Sequence, residues 1–511
     1  MREREAAIVA ILSALWLAGC ATSALELAPD RPDRPWTPAT TETGEIIAGA
    51  VPSAQAAAVT YVLPPNSEVA RLPPALATNP RWLYTLPQLI DIAESNNPVT
   101  RSAWNAARSV ALAEGIAESS FLPQLTAGAI TGRQVSSGQT GIQGLNLGPN
   151  QLNASGTISV LSFEWLLFDF GERAAIVEAA KQATMISNIA FTAAHQQVIY
   201  DVSTAFYADA AARARLGTAA QSLKNARNVQ AAAEDRYGHG IGTVVEVAQA
   251  RQANAQARLL LVQAEGAAKD TYLKLISAIG ISPLTQIKIA DISGRRLAFP
   301  MYGSVERIIN EGLARRPDIL SAYAAQKAGI SNIQAAQSAL MPKVFVTGNA
   351  AHSSGNLGVT AVPSIGGQSP TVNVAGGHDS GTILAGVTMP LYDGGIRLAA
   401  LKQAEAKADN ANLTLVRTKN EAVRQIVLAD NALRTSLSSY TAATALASAA
   451  QTTFDAALSA YRNGVGSITD ATVAETQLLQ ATNARADAHS AALSAAAAVA
   501  LTVGVLGEAP Q

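Results

Sequence analysis

Few side chains in this 511-residue chain can make or break a bond, and their spacing gives them little to act on. Cys20 is the sole thiol, so disulfides within the chain and cysteine-based metal sites are excluded. His195, His239, His352, His378 and His489 stand singly, with no His-x-x-x-His or similar spacing to share a metal ion. No Gly-x-Ser-x-Gly elbow or other activated nucleophile accompanies the serines, which argues against an enzyme. Gly240-Ile241-Gly242 and Gly464-Val465-Gly466 fail as phosphate cradles, because no strand precedes them and the third glycine is missing. No cofactor or metal site is therefore expected. Lys+Arg 37 against Asp+Glu 38 gives a net charge of −1, without the basic surplus a nucleic-acid partner would demand.

Cys20 takes its meaning from what precedes it. Arg2 and Arg4 lead into an apolar run from Ala6 to Leu17, which ends at Leu17-Ala18-Gly19-Cys20. A charged start, a short apolar core and small residues before a cut site make residues 1–19 a secretory signal rather than a membrane span. The last four residues resemble the bacterial lipoprotein signal, which implies cleavage before Cys20 and acylation of its sulfur. Ala21, not aspartate, follows, so the resemblance implies the outer membrane as destination. An acyl anchor contributes about 0.8 kcal/mol per buried CH₂ and needs no helix across the bilayer. Residues 20–80 are rich in proline, as in Arg31-Pro32-Asp33-Arg34-Pro35 and Leu63-Pro64-Pro65, and read as an extended or disordered tether.

The glycine pairs belong to a stretch that occurs twice, Tyr237–Thr243 and Tyr461–Ser467, at an offset of 224 positions. Each copy interrupts a very long helical pattern, as the turn at the tip of a helical hairpin would. Two glycines in three residues supply the positive φ that such a turn needs. After Gly171 no proline occurs until Pro283, and after Pro390 none until Pro510. Proline inside a helix costs about 3 kcal/mol, so its absence permits helices of unusual length. From Glu172 to about Tyr237 one helix would run roughly 100 Å, and a second returns from about Thr243 to Ile279. Hydrophobic residues make up 49% of the chain but aromatics only 5%, with alanine dominant, which suits closely packed long helices better than a thick globular core.

The same plan is written twice, in residues 81–290 and 304–511, with 291–303 as linker. A helical pattern from Thr85 to about Ser120 contains Asn97-Pro98, and its counterpart from Ser304 contains Arg316-Pro317. Each meets a proline, Pro123 or Pro342, and then a pair of candidate strands around a loop rich in glycine, serine and asparagine: Leu125–Gln134 with Thr157–Phe168, and Val344–Ala351 with Thr382–Leu391. The loops are expected in Val135–Asn150 and Ser353–Gly381. The strands end at Phe168-Asp169-Phe170-Gly171 and Tyr392-Asp393-Gly394-Gly395, where the long helices start.

The doubled strand-to-helix junction, the prolines entering the strands, Arg315-Arg316-Pro317-Asp318-Ile319 and the two tips together resemble the TolC family of outer-membrane efflux ducts, from Trp82 to Gly507. The fold implied is α+β: a trimer whose four strands per chain close a twelve-stranded transmembrane β-barrel, continued through the periplasm by a barrel of α-helices. Closure answers a physical problem, since an open sheet in lipid leaves backbone groups unpaired at its edges. The resemblance also implies partners, a periplasmic adaptor and an inner-membrane pump, and assigns roles. Gly240, Gly242, Thr243, Gly464, Gly466 and Ser467 would meet the adaptor. Asp470 and its counterpart Glu246 would form the periplasmic gate, as clustered carboxylates at a constriction. A solvated acidic residue favoured by the helix dipole is the plainer reading of Asp470. Three residues on, where a second acidic residue often stands, this chain has Val473. Asp169, Gly171, Asp393 and Gly395 would make the strand-to-helix junctions.

With no ATP site in view, the implied function is passive conduction of cargo delivered by the pump, small toxic compounds first. Export of whole proteins by type I secretion is the alternative, because the Gly-Pro-Asp-Tyr signature expected after the lipoprotein cysteine is missing. A third reading is a coiled-coil lipoprotein that bridges envelope layers and conducts nothing; two glycine-rich hairpins ahead of the helices speak against it.

Overall fold

The computed structural model describes residues 81–142, 145–294, 297, 305–355 and 379–507, with short pieces between 28 and 79. Cys20 and the signal sequence lie outside the described residues, as do most of the linker and residues 356–378. The chain divides into two units, Met1–Ala77 and Thr78–Gln511. In the first, β1 (Pro38–Thr40) pairs antiparallel with β2 (Ile46–Ala50). This short hairpin lies within the stretch expected to be an extended or disordered tether, where after Pro38 the run to Ala50 is free of proline and can pair.

The second unit repeats one plan with equal helix lengths. Helix α1 (Leu86–Asn96, 11 residues), α2 (Pro98–Ser119, 22), α3 (Glu172–Gly238, 67) and α4 (Val244–Ile279, 36) make the first half. Helix α5 (Val305–Arg315, 11 residues), α6 (Pro317–Ser338, 22), α7 (Ile396–Arg462, 67) and α8 (Ile468–Val503, 36) make the second. At about 1.5 Å per residue α3 and α7 each extend roughly 100 Å. The helical patterns expected through Asn97-Pro98 and Arg316-Pro317 each split in two, since the residue before proline is pushed out of the helical region. Asn97 and Arg316 both have ψ of 126°.

Those pre-proline residues make a knee in each half. Asn97 Nδ2 donates to the carbonyl of Ala278 at 3.0 Å, and Arg316 Nη1 donates to that of Thr502 at 3.1 Å. Ala278 and Thr502 are themselves repeat partners, near the ends of α4 and α8. Both returning helices close at a glycine with positive φ, Gly280 (81°) and Gly504 (79°). A short helix is thus set end-on to a returning helix. A core of Leu89, Phe206, Leu275, Ile276 and Ile279, none more than 1% exposed, locks α1, α3 and α4 together beside the short parallel pair β3 (Leu83–Tyr84) and β6 (Lys288–Ile289). Burial of each such side chain contributes about 1.5–3 kcal/mol. By length and composition α8 is apolar enough to cross a membrane. Its buried Ala474, Ala481, Ala492 and Ala495 instead let it sit close against α3 and α7.

The four remaining strands form one antiparallel sheet in the order β4-β5-β7-β8, from β4 (Gln124–Ile142), β5 (Leu145–Phe168), β7 (Lys343–Gly355) and β8 (Asp379–Thr388). β4 and β5 extend into the stretch expected to be a loop, 135–150, pairing in register from Val135–Asn153 to Gln139–Pro149 and, past an irregularity, at Gly141–Asn146 and Ile142–Leu145, because a glycine- and serine-rich segment can still satisfy its backbone in a ladder. β8 stops at Thr388 rather than Leu391, short of Pro390, which has no N–H to give. Residues directly opposite one another share a face. On one face the cross-strand rows read Leu125-Phe163-Gly348-Ile383, Ala127-Leu161-Ala350-Gly381 and Trp165-Val346-Ala385. On the other they read Gln124-Glu164-Thr347-Leu384 and Thr126-Ser162-Asn349-Thr382. The first side turns polar toward the loops, at Ser159-His352-Asp379 and Thr157-Ser354, and the second is mixed, with Ile130-Ile158 and Leu166-Phe345 between its polar rows; among the described residues β4 and β8 are the unpaired edges.

Candidate functional site

Both tips close by the same hydrogen bonds. At the first, the N–H groups of Ile241 and Gly242 both donate to the Arg236 carbonyl at 3.0 Å; at the second, Val465 and Gly466 donate to Ala460 at 3.0 and 3.1 Å. This is the capping pattern in which a left-handed residue reverses the chain after a helix. Only the first glycine of each pair supplies the positive φ, Gly240 at 75° and Gly464 at 77°, which corrects the expectation that both do. Gly242 and Gly466 are required by space: a Cβ on Gly242 would lie 2.9 Å from the Tyr237 nitrogen, and one on Gly466 2.9 Å from the Ala460 Cβ.

Thr243 and Ser467 then cap the returning helices, their hydroxyls accepting the N–H of Glu246 at 3.2 Å and of Asp470 at 3.1 Å. Past this point the copies diverge. Asp470 is exposed and its Oδ2 turns back to accept from the Ser467 N–H at 3.3 Å and hydroxyl at 2.8 Å, completing a capping box on its own helix. Glu246 Oε2 instead accepts from the Tyr461 hydroxyl at 3.1 Å, across to the other hairpin. Tyr461 is 1% exposed, and burial, then the Glu246 charge, push its phenol up to about 12. Arg236 completes the clasp: Nη1 donates to the Tyr461 carbonyl and Nη2 to that of Ile241, both at 3.3 Å, with the guanidinium 5.1 Å from the Tyr461 ring centre. Tyr237, the repeat counterpart of Tyr461, is 52% exposed. Glu246 and Asp470 thus share a place on their helices but not a partner. Arg236 and Tyr461 were not singled out from sequence; the signal for them was the pair Arg236 and Ala460, where the two copies of the tip differ.

At the first junction Asp169 Oδ1 accepts from the Gly171 N–H at 3.2 Å, and its Oδ2 from the Arg173 N–H at 3.0 Å and Nε at 2.8 Å. Burial opposes ionisation of this carboxyl, but the Arg173 hydrogen bonds and charge outweigh it and hold it below the usual carboxylate range. Arg173 also reaches the Ser120 carbonyl at 2.8 Å, tying the end of α2 to the start of α3. At the second junction Asp393 accepts from the Gly395 N–H at 3.0 Å and the Arg397 N–H at 3.2 Å, while the Arg397 guanidinium stays 3.6 Å away. Gly171 and Gly395 have φ of 92° and 87°, so the chain can turn from strand into helix at both.

The profile of the outer membrane efflux protein family matches residues 89–281 and again 308–505. The chain belongs to this family. Among efflux-family relatives it is 26% identical over 336 residues to protein CyaE of Bordetella pertussis, 64% of each chain. It is 26% identical over 324 residues to the pyoverdine export outer membrane protein OpmQ of Pseudomonas putida, 63% of this chain and 65% of that one. The chain therefore spans just under two thirds of the length of these relatives. The crystal structure of the outer membrane protein VceC from Vibrio cholerae superposes with a TM-score of 0.68 at 20% identity, covering 82% of this chain and 96% of VceC, which is a likeness of fold.

Proposed function

We propose that the chain is one part of a passive outer-membrane export duct, in which three copies close head to tail. The observation that carries this reading is the four-stranded antiparallel sheet whose edges are unpaired among the described residues, leading directly into helices of 67 residues. From the Val344–Val387 row to the His352–Asp379 row is about 26 Å along the strands, near the height of a transmembrane apolar band. In lipid, β4 and β8 must each find a partner, and the neighbouring copies supply one. The helices support the same closure. α3 packs on both α6 and α8, and the repeat images of those contacts, α7 on α2 and α7 on α4, are missing along the helices of one chain. A heterologous ring provides them; that it holds three copies follows from the family resemblance.

In this duct the Glu246–Tyr461–Arg236 clasp holds the two hairpins of each copy together at the periplasmic end and acts as the gate, with Asp470 beside it. The exposed tip residues Ile241, Val244, Val245 and Val465, with the turn residues Gly240 to Thr243 and Gly464 to Ser467, receive the helical hairpins of a periplasmic adaptor that links the duct to an inner-membrane pump. Acylation at Cys20 anchors the chain in the outer membrane. Cargo is small molecules, the reading favoured by a relative named for pyoverdine export; the duct conducts rather than catalyses. Purified protein in planar bilayers tests this. Wild type should show a small closed-state current, and Tyr461→Phe and Glu246→Gln each a current several-fold larger. Failure of every variant to conduct would sink the duct.

A further inference from the structure

A cavity of about 230 Å³ opens within one chain where α3, α7 and α8 meet the segment that follows β6. Ala210, Ala211 and Ala214 form its α3 wall, and their short side chains leave the room. Tyr207 and Tyr440 add two aromatic rings. His489 is only 9% exposed, with its ring centre 5.3 Å from that of Tyr440. Arg485, one turn earlier on α8, is exposed at the mouth. Among the described residues it makes no ion pair, and Asp487, two positions on, is taken by Arg215 at 2.6 Å. No carboxylate is found among the described residues that line the cavity. The three hydroxyls that do line it each give their proton elsewhere: Ser293 to Asp291 Oδ2 at 2.8 Å, Thr444 to the Tyr440 carbonyl at 2.7 Å, and Ser490 to the Tyr207 carbonyl at 2.8 Å. The mouth thus offers an unpaired cation, and the interior offers small apolar and aromatic walls.

The internal repeat shows which of these features the packing demands. At the 224-residue offset Leu261 stands for Arg485, Glu265 for His489 and Leu216 for Tyr440. The same fold accepts an aliphatic residue, an acid and a second aliphatic at these places, so the cation, the imidazole and the ring are not needed to hold the helices. We propose that the cleft binds a small aromatic carboxylate. Its carboxylate lies against the Arg485 guanidinium, whose planar fork matches it with two parallel N–H···O bonds. Its ring enters beside Tyr440, over the α3 alanines, where aromatic pairs meet offset or edge to face. A cavity of this size falls below the roughly 300–1,000 Å³ of drug-sized sites, which limits the ligand to a single ring. The cleft lies within one copy and does not depend on the closed ring of copies proposed above.

The test titrates benzoate calorimetrically into the full-length protein in detergent, near neutral pH. Wild type should bind it with a Kd below about 1 mM. Acetate, which lacks the ring, and benzylamine, which reverses the charge, should each bind at least about tenfold more weakly. Arg485→Gln should weaken benzoate by about tenfold or more and leave the melting temperature within about 1 °C, because an exposed cation without a partner adds little to stability. Should that variant melt early, Tyr440→Leu carries the same test, since leucine already stands at the image position, and a loss of about threefold or more is expected. No binding of benzoate up to about 10 mM, an affinity unchanged in the variant that folds, or equal binding of acetate or benzylamine overturns the inference.

Discussion

Glu475 shows how one buried carboxyl reports on its helix seam. It is 9% exposed, and burial raises its pKa, with the Ser222 hydrogen bond pulling the other way. Over the window between the ordinary carboxylate value and the raised one, the folded protein holds a proton that the unfolded chain has released. Stability therefore falls as pH rises through that window. Glu475→Gln keeps an acceptor for Ser222 and removes the charge, so the variant should melt higher than wild type at pH 7.5, by roughly 2 °C, with the gap closing below about pH 4. A gap that does not change with pH would show that Glu475 is not buried as a carboxyl. The tip glycines separate in the same assay. Gly242→Ala drives a Cβ into backbone and should cost about 1–3 kcal/mol, whereas Gly240→Ala meets open space and only the left-handed φ, about 1 kcal/mol. Both glycines were legible as a turn, but their separate reasons were not, because a close approach between a residue and the preceding helix leaves no mark on composition. The Arg236–Tyr461 contact was hidden for a related reason: its partners are 225 positions apart, and no local pattern links them.

Among the elements, the long helices were readable almost to the residue, because windows without proline and glycine caps are strong local signals. The breaks at Asn97-Pro98 and Arg316-Pro317 were not read, since proline is also tolerated in the first turn of a helix. The strands were less readable. β4 and β5 run into a stretch that pairs in a ladder with one irregularity but whose residues lack apolar alternation, so the pairing is carried by hydrogen bonds that composition does not reveal. The two junctions, read as equivalent, differ in burial. Arg173 is 7% exposed, and Asp169→Ala strips a buried guanidinium of its carboxylate, so a loss of about 3–5 kcal/mol is expected in thermal unfolding. At the second junction the Arg397 guanidinium is 37% exposed and 3.6 Å from its acid, so Asp393→Ala should cost about 1 kcal/mol, chiefly as a lost cap. Equal losses would mean the first ion pair adds nothing to the cap.

At the scale of the molecule, duplication was the most legible feature, and its failures carry the information. Helix lengths agree between the halves, yet β4 and β5 have 19 and 24 residues against 13 and 10 for β7 and β8. The halves thus differ in length at the sheet and agree in length up to and through the turns at Gly240 and Gly464.

The matched lengths of α3 and α7, and of α4 and α8, make the reach of the protein a property that no single segment owns. Removing a heptad from α3 and α4 alone would draw one tip back by about 10 Å while the other stayed in place, and Tyr461 would face empty space where Glu246 had been. Removing the same heptad from all four helices would shorten the structure evenly and leave the clasp in register. Adaptation to an envelope of different depth is therefore open only to changes made twice, in step.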